Sequence, residues 1–274
     1  MNRTGLQRDT IDKFYTNLNI ASQCIRWFSE NINIENTDVI IEPSAGNGSF
    51  IDGLRNISNN CLFYDIEPEH PDVVKQDFLN YSALNIKRVD PNTKIHVVGN
   101  PPFGRQSTLA IRFIKNACSF ANTISFILPN SFKKDSMRNK IPRQFHLVFE
   151  HELPENSFSV DGNDVNVPCV FQIWKKQENN RAIRPYSLSR FVDFVKLDDN
   201  PDFSIRRVGV YAGKLDSDIN KSVQSHYFIK MKNNIDPNLF REEFLTIEFT
   251  HDNTAGPKSI SKKELIIELN RLSL

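Results

Sequence analysis

Four consecutive residues, Asn100-Pro101-Pro102-Phe103, have groups suited to holding a planar amine. The Asn100 side-chain oxygen and the Pro101 carbonyl are hydrogen-bond acceptors, and the paired prolines restrict the direction of that carbonyl. The ring of Phe103 can stack on a flat base. Asn-Pro-Pro alone is also a common turn, so a catalytic role for these four residues depends on what accompanies them.

A glycine-containing turn follows a short apolar run at 39–41 and precedes a helix start. Gly46 and Gly48 would let a ligand approach the backbone closely. Ile51 occupies the position where a dinucleotide fingerprint has its third glycine, and the Gly-Lys pair of a phosphate loop is missing. Glu42, at the end of the apolar run, disfavours a polyanion. The turn therefore favours a cationic or amine-bearing ligand, such as S-adenosylmethionine.

Two further acids follow at positions that suit a nucleoside. Asp65 ends a second apolar run, and an acid at the carboxyl end of a strand in a doubly wound sheet typically binds a ribose hydroxyl pair. Asp77 is predicted to accept a hydrogen bond from an adenine amine, with Phe78 covering the ring. A solvated acid or a core aromatic ring is the alternative at each position.

Together these residues resemble the S-adenosylmethionine-dependent amino-methyltransferases that make N6-methyladenine in DNA. The segments similar to motifs X, I, II, III, IV and VI of that family are, in chain order, 12–16, 42–50, 65, 77–78, 100–103 and 125–129. Only 51 residues separate Gly48 from Asn100, too few for an inserted recognition domain. Target recognition is therefore expected after Trp174, as in family members with a C-terminal recognition region.

The resemblance implies S-adenosyl-L-methionine as cofactor and the N6 amine of adenine as methyl acceptor, with no metal taking part. It also implies that Phe158 matches the motif VIII aromatic residue that stacks on an extruded base, although a core phenylalanine is the open alternative. The residues expected to bind the cofactor are Phe14, Tyr15, Thr16, Glu42, Pro43, Ala45, Gly46, Gly48, Asp65, Ile66, Asp77, Phe78 and Asn100.

Charge is distributed unevenly along a chain whose net charge is only +1. Residues 31–100 carry ten acids and five bases, whereas residues 101–150 carry eight bases and two acids. The acidic part suits a cationic cofactor, and the basic part suits phosphate. A solvated surface is the alternative for the basic residues. The side chains predicted to contact nucleic acid are Lys133, Lys134, Arg138, Lys140, Arg206 and Arg207.

Apolar periodicity predicts an α/β fold with parallel strands. Together with the resemblance, it predicts a Rossmann-like, doubly wound, seven-stranded methyltransferase sheet with a small C-terminal α+β appendage. A hairpin through 154–168 should insert one antiparallel strand. Strands are expected near 38–42, 61–65, 95–99, 123–128, 146–152 and 168–174, then at 203–213 and 226–229, with helices at 17–31, about 107–121 and 262–272.

The 274 residues fit a catalytic domain at 1–176 and a target-recognition region at 181–274. No apolar run is long enough for a membrane helix, so we expect a soluble protein of the cytoplasm, or of a virus-infected cell, with no membrane partner. DNA is the expected partner, with a cognate restriction endonuclease as a candidate. An RNA adenine-N6 methyltransferase is the main alternative. A catalytically inactive binding module is disfavoured by the intact motif at 100–103.

Overall fold

The computed structural model describes residues 13–82, 84, 92–160, 162–182, 188–232, 235–249 and 258–274. The chain divides into two compact units, residues 1–183 and 184–274. Within the described ranges, no helix has the length and apolar character needed to cross a membrane.

The elements of the first unit are, in chain order, β1 (Tyr15–Thr16), α1 (Leu18–Asn31), β2 (Val39–Glu42), α2 (Ile51–Arg55), β3 (Cys61–Asp65), β4 (Val74–Lys75), β5 (Ile95–Gly99), α3 (Thr108–Cys118), β6 (Thr123–Pro129), α4 (Asp135–Arg138), β7 (Phe145–Glu152), β8 (Phe158–Val160), β9 (Asn163–Val165) and β10 (Cys169–Lys176). Short 3-10 helices cover Phe78–Asn80, Arg105–Ser107 and Asn130–Lys133.

The described strands of the first unit include a seven-stranded sheet with the order β4-β3-β2-β5-β6-β10-β7. Neighbours from β4 to β6 are parallel, and β10 is antiparallel to both β6 and β7. The predicted methyltransferase sheet, including its antiparallel strand, is therefore confirmed. Strand β4 was not predicted, because its two exposed residues at the sheet edge give no apolar run.

Both faces of this sheet are covered, which explains why β2, β5 and β6 are buried throughout. Ile40 and Ile127 belong to an apolar layer shared with α1, and Ile41 and Val97 to a layer shared with α3. Because strand side chains alternate between faces, adjacent residues of one strand enter opposite layers. Because β2, β3 and β5 are parallel, their carboxyl ends meet at one edge of the sheet.

A second, three-stranded sheet has the order β1-β8-β9 and was not predicted. Thr16 pairs with Phe158 and Tyr15 with Ser159, so the segment before α1 is attached to the connection between β7 and β10. These strands have two or three residues each, too few for a periodic pattern to be recognised.

The second unit is a small α+β body, as predicted. The predicted strand at 203–213 ends at Arg206, because Gly209 and Gly213 have φ of +90° and +97° and turn the chain. Its described strands form an antiparallel sheet of order β11-β14-β12-β13, packed on two helices. The elements are β11 (Val192–Val195), β12 (Phe203–Arg206), β13 (Leu215–Asp216), β14 (His226–Met231), α5 (Pro237–Phe244) and α6 (Lys262–Leu269).

Candidate active site

A cavity of about 220 Å³ lies at the carboxyl ends of β2, β3 and β5. It brings together the proposed catalytic motif and all but one of the residues predicted to bind the cofactor. The predicted residues that line it are Phe14, Tyr15, Thr16, Glu42, Pro43, Ala45, Gly46, Asp65, Ile66, Asp77, Phe78, Asn100, Pro101, Pro102 and Phe103.

Gly48 is the predicted cofactor residue that does not line the cavity. Its amide donates to the Ala45 carbonyl at 2.7 Å, and its φ is +89°. A Cβ at this position would lie 2.9 Å from the His70 ring. The structure therefore corrects the prediction, because Gly48 closes the turn and leaves Gly46 to line the cavity.

The amide of Asn100 is held in one orientation. Its Nδ2 donates to the Phe14 carbonyl at 3.2 Å and to Thr16 Oγ1 at 3.1 Å. Because a carbonyl can only accept, the nitrogen must face Phe14 and Oδ1 must point away from it. Ser44 Oγ donates to the Asn100 carbonyl at 3.0 Å and joins the glycine turn to the motif. This arrangement leaves the Asn100 oxygen available as an acceptor.

Glu42 is a buried carboxyl group in the cavity wall, with 2% of its surface exposed. Its Oε2 has no hydrogen-bond partner among the described residues. Burial, reinforced by the charge of Asp65, raises the pKa of Glu42 to about 8. The absence of a side chain at Gly99 makes room for it, since a Cβ there would lie 3.1 Å from Glu42 Cγ. An unsatisfied buried acceptor of this kind fits a ligand that brings a donor or a positive charge.

The two other predicted acids line the cavity but also hold local backbone. Asp65 accepts from the amides of Gly46 and Glu67, each at 2.8 Å. Asp77 accepts from the Leu79 amide at 2.9 Å and from Asn80 Nδ2 at 2.7 Å, and so caps the helix at 78–80. These backbone-holding roles of Asp65 and Asp77 were not predicted.

Four charged or polar side chains meet at the rim of the cavity. Tyr15 Oη donates to Glu69 at 2.6 Å, and Lys13 Nζ lies 2.9 Å from Glu67 and 3.0 Å from Glu69. Burial and the bond to Glu69 raise the pKa of Tyr15 to about 12, and the two glutamates raise the pKa of Lys13. These contacts fasten the segment before α1 to the loop after β3.

Three phenylalanines form a row that begins at Phe103, the last residue of the motif. Phe14 lies 6.2 Å from Phe103 and 6.3 Å from Phe158, measured between ring centroids. Phe103 and Phe14 line the cavity, whereas Phe158 has 0% of its surface exposed and does not. The prediction that Phe158 stacks on an extruded base is wrong for this conformation. Phe158 packs behind Phe14, as its pairing with Thr16 requires.

The basic residues predicted to contact nucleic acid do not line the cavity. Lys133 pairs with Glu152, and Arg138 NH2 binds both oxygens of Glu150 at 2.8 and 2.7 Å. The half-buried Lys134 and the exposed Lys140 flank them. The positive charge of the cluster is thus partly neutralised by acids of β7, and the number of acids and bases in each stretch of the sequence could not reveal this pairing.

In the second unit, the two arginines predicted to contact nucleic acid lie at the end of β12. Arg206 Nε donates to the Val208 carbonyl at 3.0 Å, and the guanidinium of Arg207 lies 5.3 Å from the centre of the Tyr227 ring.

Several cavity residues were not predicted. Leu109 and Phe113 stand four positions apart at the start of α3, a helical spacing after the motif that could have been recognised. Ser44 and Glu69 have no comparable signal, because their roles depend on how separate loops meet.

No protein-family model matches the chain. Two curated relatives, the type II methyltransferases M.HincII and M.HindII of Haemophilus influenzae, are each 30% identical to it over 105 residues, or 37% of this chain. The match covers 19% and 18% of these relatives, so the chain spans about a fifth of their length. The sheet also has a single antiparallel strand, β10, and the segments similar to motifs X, I, II, III, IV and VI follow one another in that order along the chain. The sheet is that of the Rossmann-like class I methyltransferase fold, and 105 residues of the chain are similar in sequence to two type II methyltransferases.

Solved structures similar to this chain include two proteins of low sequence identity. The type I restriction-modification system methyltransferase subunit of Streptococcus thermophilus is 14% identical, with a TM-score of 0.46, and the match covers 63% of this chain and 47% of that one. The N-methyltransferase NodS of Bradyrhizobium japonicum is 12% identical, with a TM-score of 0.39, and the match covers 58% and 96%. Likenesses at this level carry no information on substrate.

Proposed function

We propose that this chain transfers a methyl group from S-adenosylmethionine to the N6 amine of adenine in DNA. The observation that supports this most is the fixed amide of Asn100, whose nitrogen is bonded to Phe14 and Thr16. Its oxygen is left to accept a hydrogen bond from a substrate amine. The choice of adenine in DNA rests on the motif order and on the likeness of 100–103 to the adenine-methylating enzymes.

The cavity residues fit the proposed cofactor. Glu42 offers an unsatisfied buried oxygen to an amine, Gly46 allows close approach to the backbone, and Asp65 lies where a ribose is expected. Phe14 and Tyr15 would cover the methionine end. When bound, S-adenosylmethionine supplies an electrophilic methyl group.

Positioning supplies the catalysis in this proposal. The adenine amine is a weak nucleophile, since its lone pair is conjugated with the ring. Asn100 Oδ1 and the Pro101 carbonyl each accept a hydrogen bond from one N–H of this amine, which favours a pyramidal nitrogen with a localised lone pair, and one proton leaves the nitrogen after the methyl transfer. Phe103 supports the face of the base. A base within a duplex must first be extruded, at a cost of a few kcal/mol that stacking on Phe103 helps to offset.

The test is methyl transfer from radiolabelled S-adenosylmethionine to equal masses of genomic DNA and total RNA, followed by nucleoside analysis. The proposal expects N6-methyladenine in DNA from the parent and none from Asn100→Ala. Label in RNA alone would assign the chain to RNA adenine methylation. Label in neither acid, from a protein that binds the cofactor, would contradict a nucleic-acid substrate.

A further inference from the structure

Two large apolar side chains of the second unit point into solvent. Val210 is 80% exposed and Tyr211 is 67% exposed, and they are adjacent in the connection between β12 and β13. We call residues 207–214 the Tyr211 loop. An isolated exposed apolar residue is ordinary, but an adjacent exposed pair at the tip of one loop needs a reason.

The Tyr211 loop is held in one conformation by its own backbone. Gly209 and Gly213 provide the positive φ angles, and the Ala212 amide donates to the Gly209 carbonyl at 2.9 Å. The Gly213 amide donates to the Arg206 carbonyl at 2.7 Å. The buried Ala212 anchors the loop from below. The tip is therefore presented by a fixed scaffold, which lowers the entropy lost on binding.

Cationic residues adjoin this tip in the sequence and through one backbone contact. Arg206 and Arg207 precede it, Lys214 follows it, and the Lys258 carbonyl accepts from the Gly209 amide at 2.8 Å. No acid occurs from residue 203 to residue 215. In the described ranges, none of these four cationic side chains forms an ion pair. An apolar and aromatic tip flanked by cations that have no acidic partner matches a base flanked by phosphates.

We propose that the Tyr211 loop is a nucleic-acid contact of the second unit, in which the Tyr211 ring stacks on a base and the flanking cations bind phosphates. This inference rests on the proposed function and specifies where its substrate is held. Val210 fills the step beside the stacked base, in the way that apolar wedges enter a groove. Stacking on an aromatic ring tolerates any base, so the loop contributes affinity more than sequence choice.

Binding of the full chain to a fluorescent DNA duplex, a single-stranded DNA and an RNA hairpin tests this, by anisotropy over a range of NaCl concentrations. Tyr211→Ala should weaken binding about tenfold or more, whereas Tyr211→Phe should stay within about threefold of the parent. Lys214→Gln should lower the salt slope by about 0.9, and Tyr211→Ala should leave it unchanged. Leu245→Ala is the matched control, since Leu245 is 73% exposed in the same unit.

The outcomes separate this inference from the proposed function. If the parent methylates nucleic acid and Tyr211→Ala binds it as tightly as the parent, the loop assignment fails alone. If the parent neither binds nor methylates nucleic acid, the loop assignment and the proposed function fail together. If the parent binds phosphatidylserine vesicles but no nucleic acid, and Tyr211→Ala loses the vesicle binding, the loop is assigned to a membrane surface instead. Thermal unfolding of each variant confirms that the second unit is intact.

Discussion

Asn100 Nδ2 and Thr16 Oγ1 lie 3.1 Å apart although 84 positions separate them in the chain. The orientation of the proposed catalytic amide therefore depends on a residue outside the motif. Thr16 is itself held by its pairing with Phe158. The motif supplies the acceptor, and a distant strand determines where that acceptor points.

Thr16→Val should lower turnover about fivefold, because loss of one hydrogen bond of about 1 kcal/mol lets the amide rotate. Affinity for the cofactor should change less than threefold. Thr16→Ser restores the hydroxyl and should retain more turnover than Thr16→Val. Single-turnover methyl transfer and cofactor titration measure the two effects separately. Equal turnover in the valine and serine variants would mean that Thr16 does not position Asn100.

Asn100→Ala should reduce turnover on the order of 100-fold, by analogy with removal of one preorganised transition-state partner. Asn100→Asp keeps an acceptor in place of Oδ1. It replaces Nδ2, which lies 3.2 Å from the Phe14 carbonyl in the parent, by a second oxygen that faces the same carbonyl. We expect this variant also to be impaired. The check is turnover in variants whose cofactor binding is retained. Parental turnover by Asn100→Ala would exclude the catalytic role.

Glu42→Gln should make stability less dependent on pH. The pKa of Glu42 is raised to about 8 in the folded chain, against 4.5 for an ordinary glutamate. The folded state thus keeps a proton that the unfolded state loses, and the resulting stability is complete below pH 4.5 and lost as pH rises through about 8. Thermal unfolding from pH 5 to 9 should show this decline in the parent and in the exposed control Glu155→Gln. The same decline in Glu42→Gln would contradict the assignment.

Glu69→Ala should speed cofactor dissociation. It removes the acceptor of the Tyr15 hydroxyl and one partner of Lys13 at the cavity rim. The pair with Lys13 is exposed and contributes little, so most of the effect comes from the bond to Tyr15. We expect an increase of about five- to tenfold in the dissociation rate, measured by stopped-flow displacement. Asp72→Ala, which breaks the 2.7 Å pair with Arg55 on the same loop, is the control and should leave the rate unchanged.

Arg138→Ala should destabilise the first unit by about 1.5–3 kcal/mol, the range for hydrogen bonds to charged groups. Glu150 would keep only its bond from Gln172, 2.6 Å long, and the Phe132 carbonyl would lose a donor. Lys140→Ala, at an exposed position two residues further along the chain, should remain within about 0.5 kcal/mol of the parent. Urea unfolding measures both. If the two variants are equally stable, Arg138 is free to serve as a phosphate contact.

Local signals were sufficient wherever an element has its own pattern. The strands ending at Glu42, Asp65 and Gly99 could be located from apolar runs alone. That these strands run parallel in one sheet followed from the rule for alternating strands and helices and from the resemblance. The cavity could therefore be predicted at the edge where these strands end.

Pairwise contacts between distant segments could not be predicted. In the sequence, an isolated phenylalanine such as Phe158 is compatible both with stacking on a base at the surface and with a position in the core. Its pairing with Thr16 decides between them, and that pairing has no signature in two- and three-residue strands. Likewise, Arg138 and Lys133 looked like free cations until β7 placed Glu150 and Glu152 beside them.

The pairing of β1 with β8 also constrains the order of folding. One wall of the cavity is made near residue 15, yet the strand that holds it is complete only at Val160. During synthesis, the first part of the wall leaves the ribosome long before its partner does. Contacts this far apart in sequence close late and slowly. A nascent chain therefore acquires a closed cofactor pocket only after β8 has emerged, and cofactor binding can serve as a reporter of that last step.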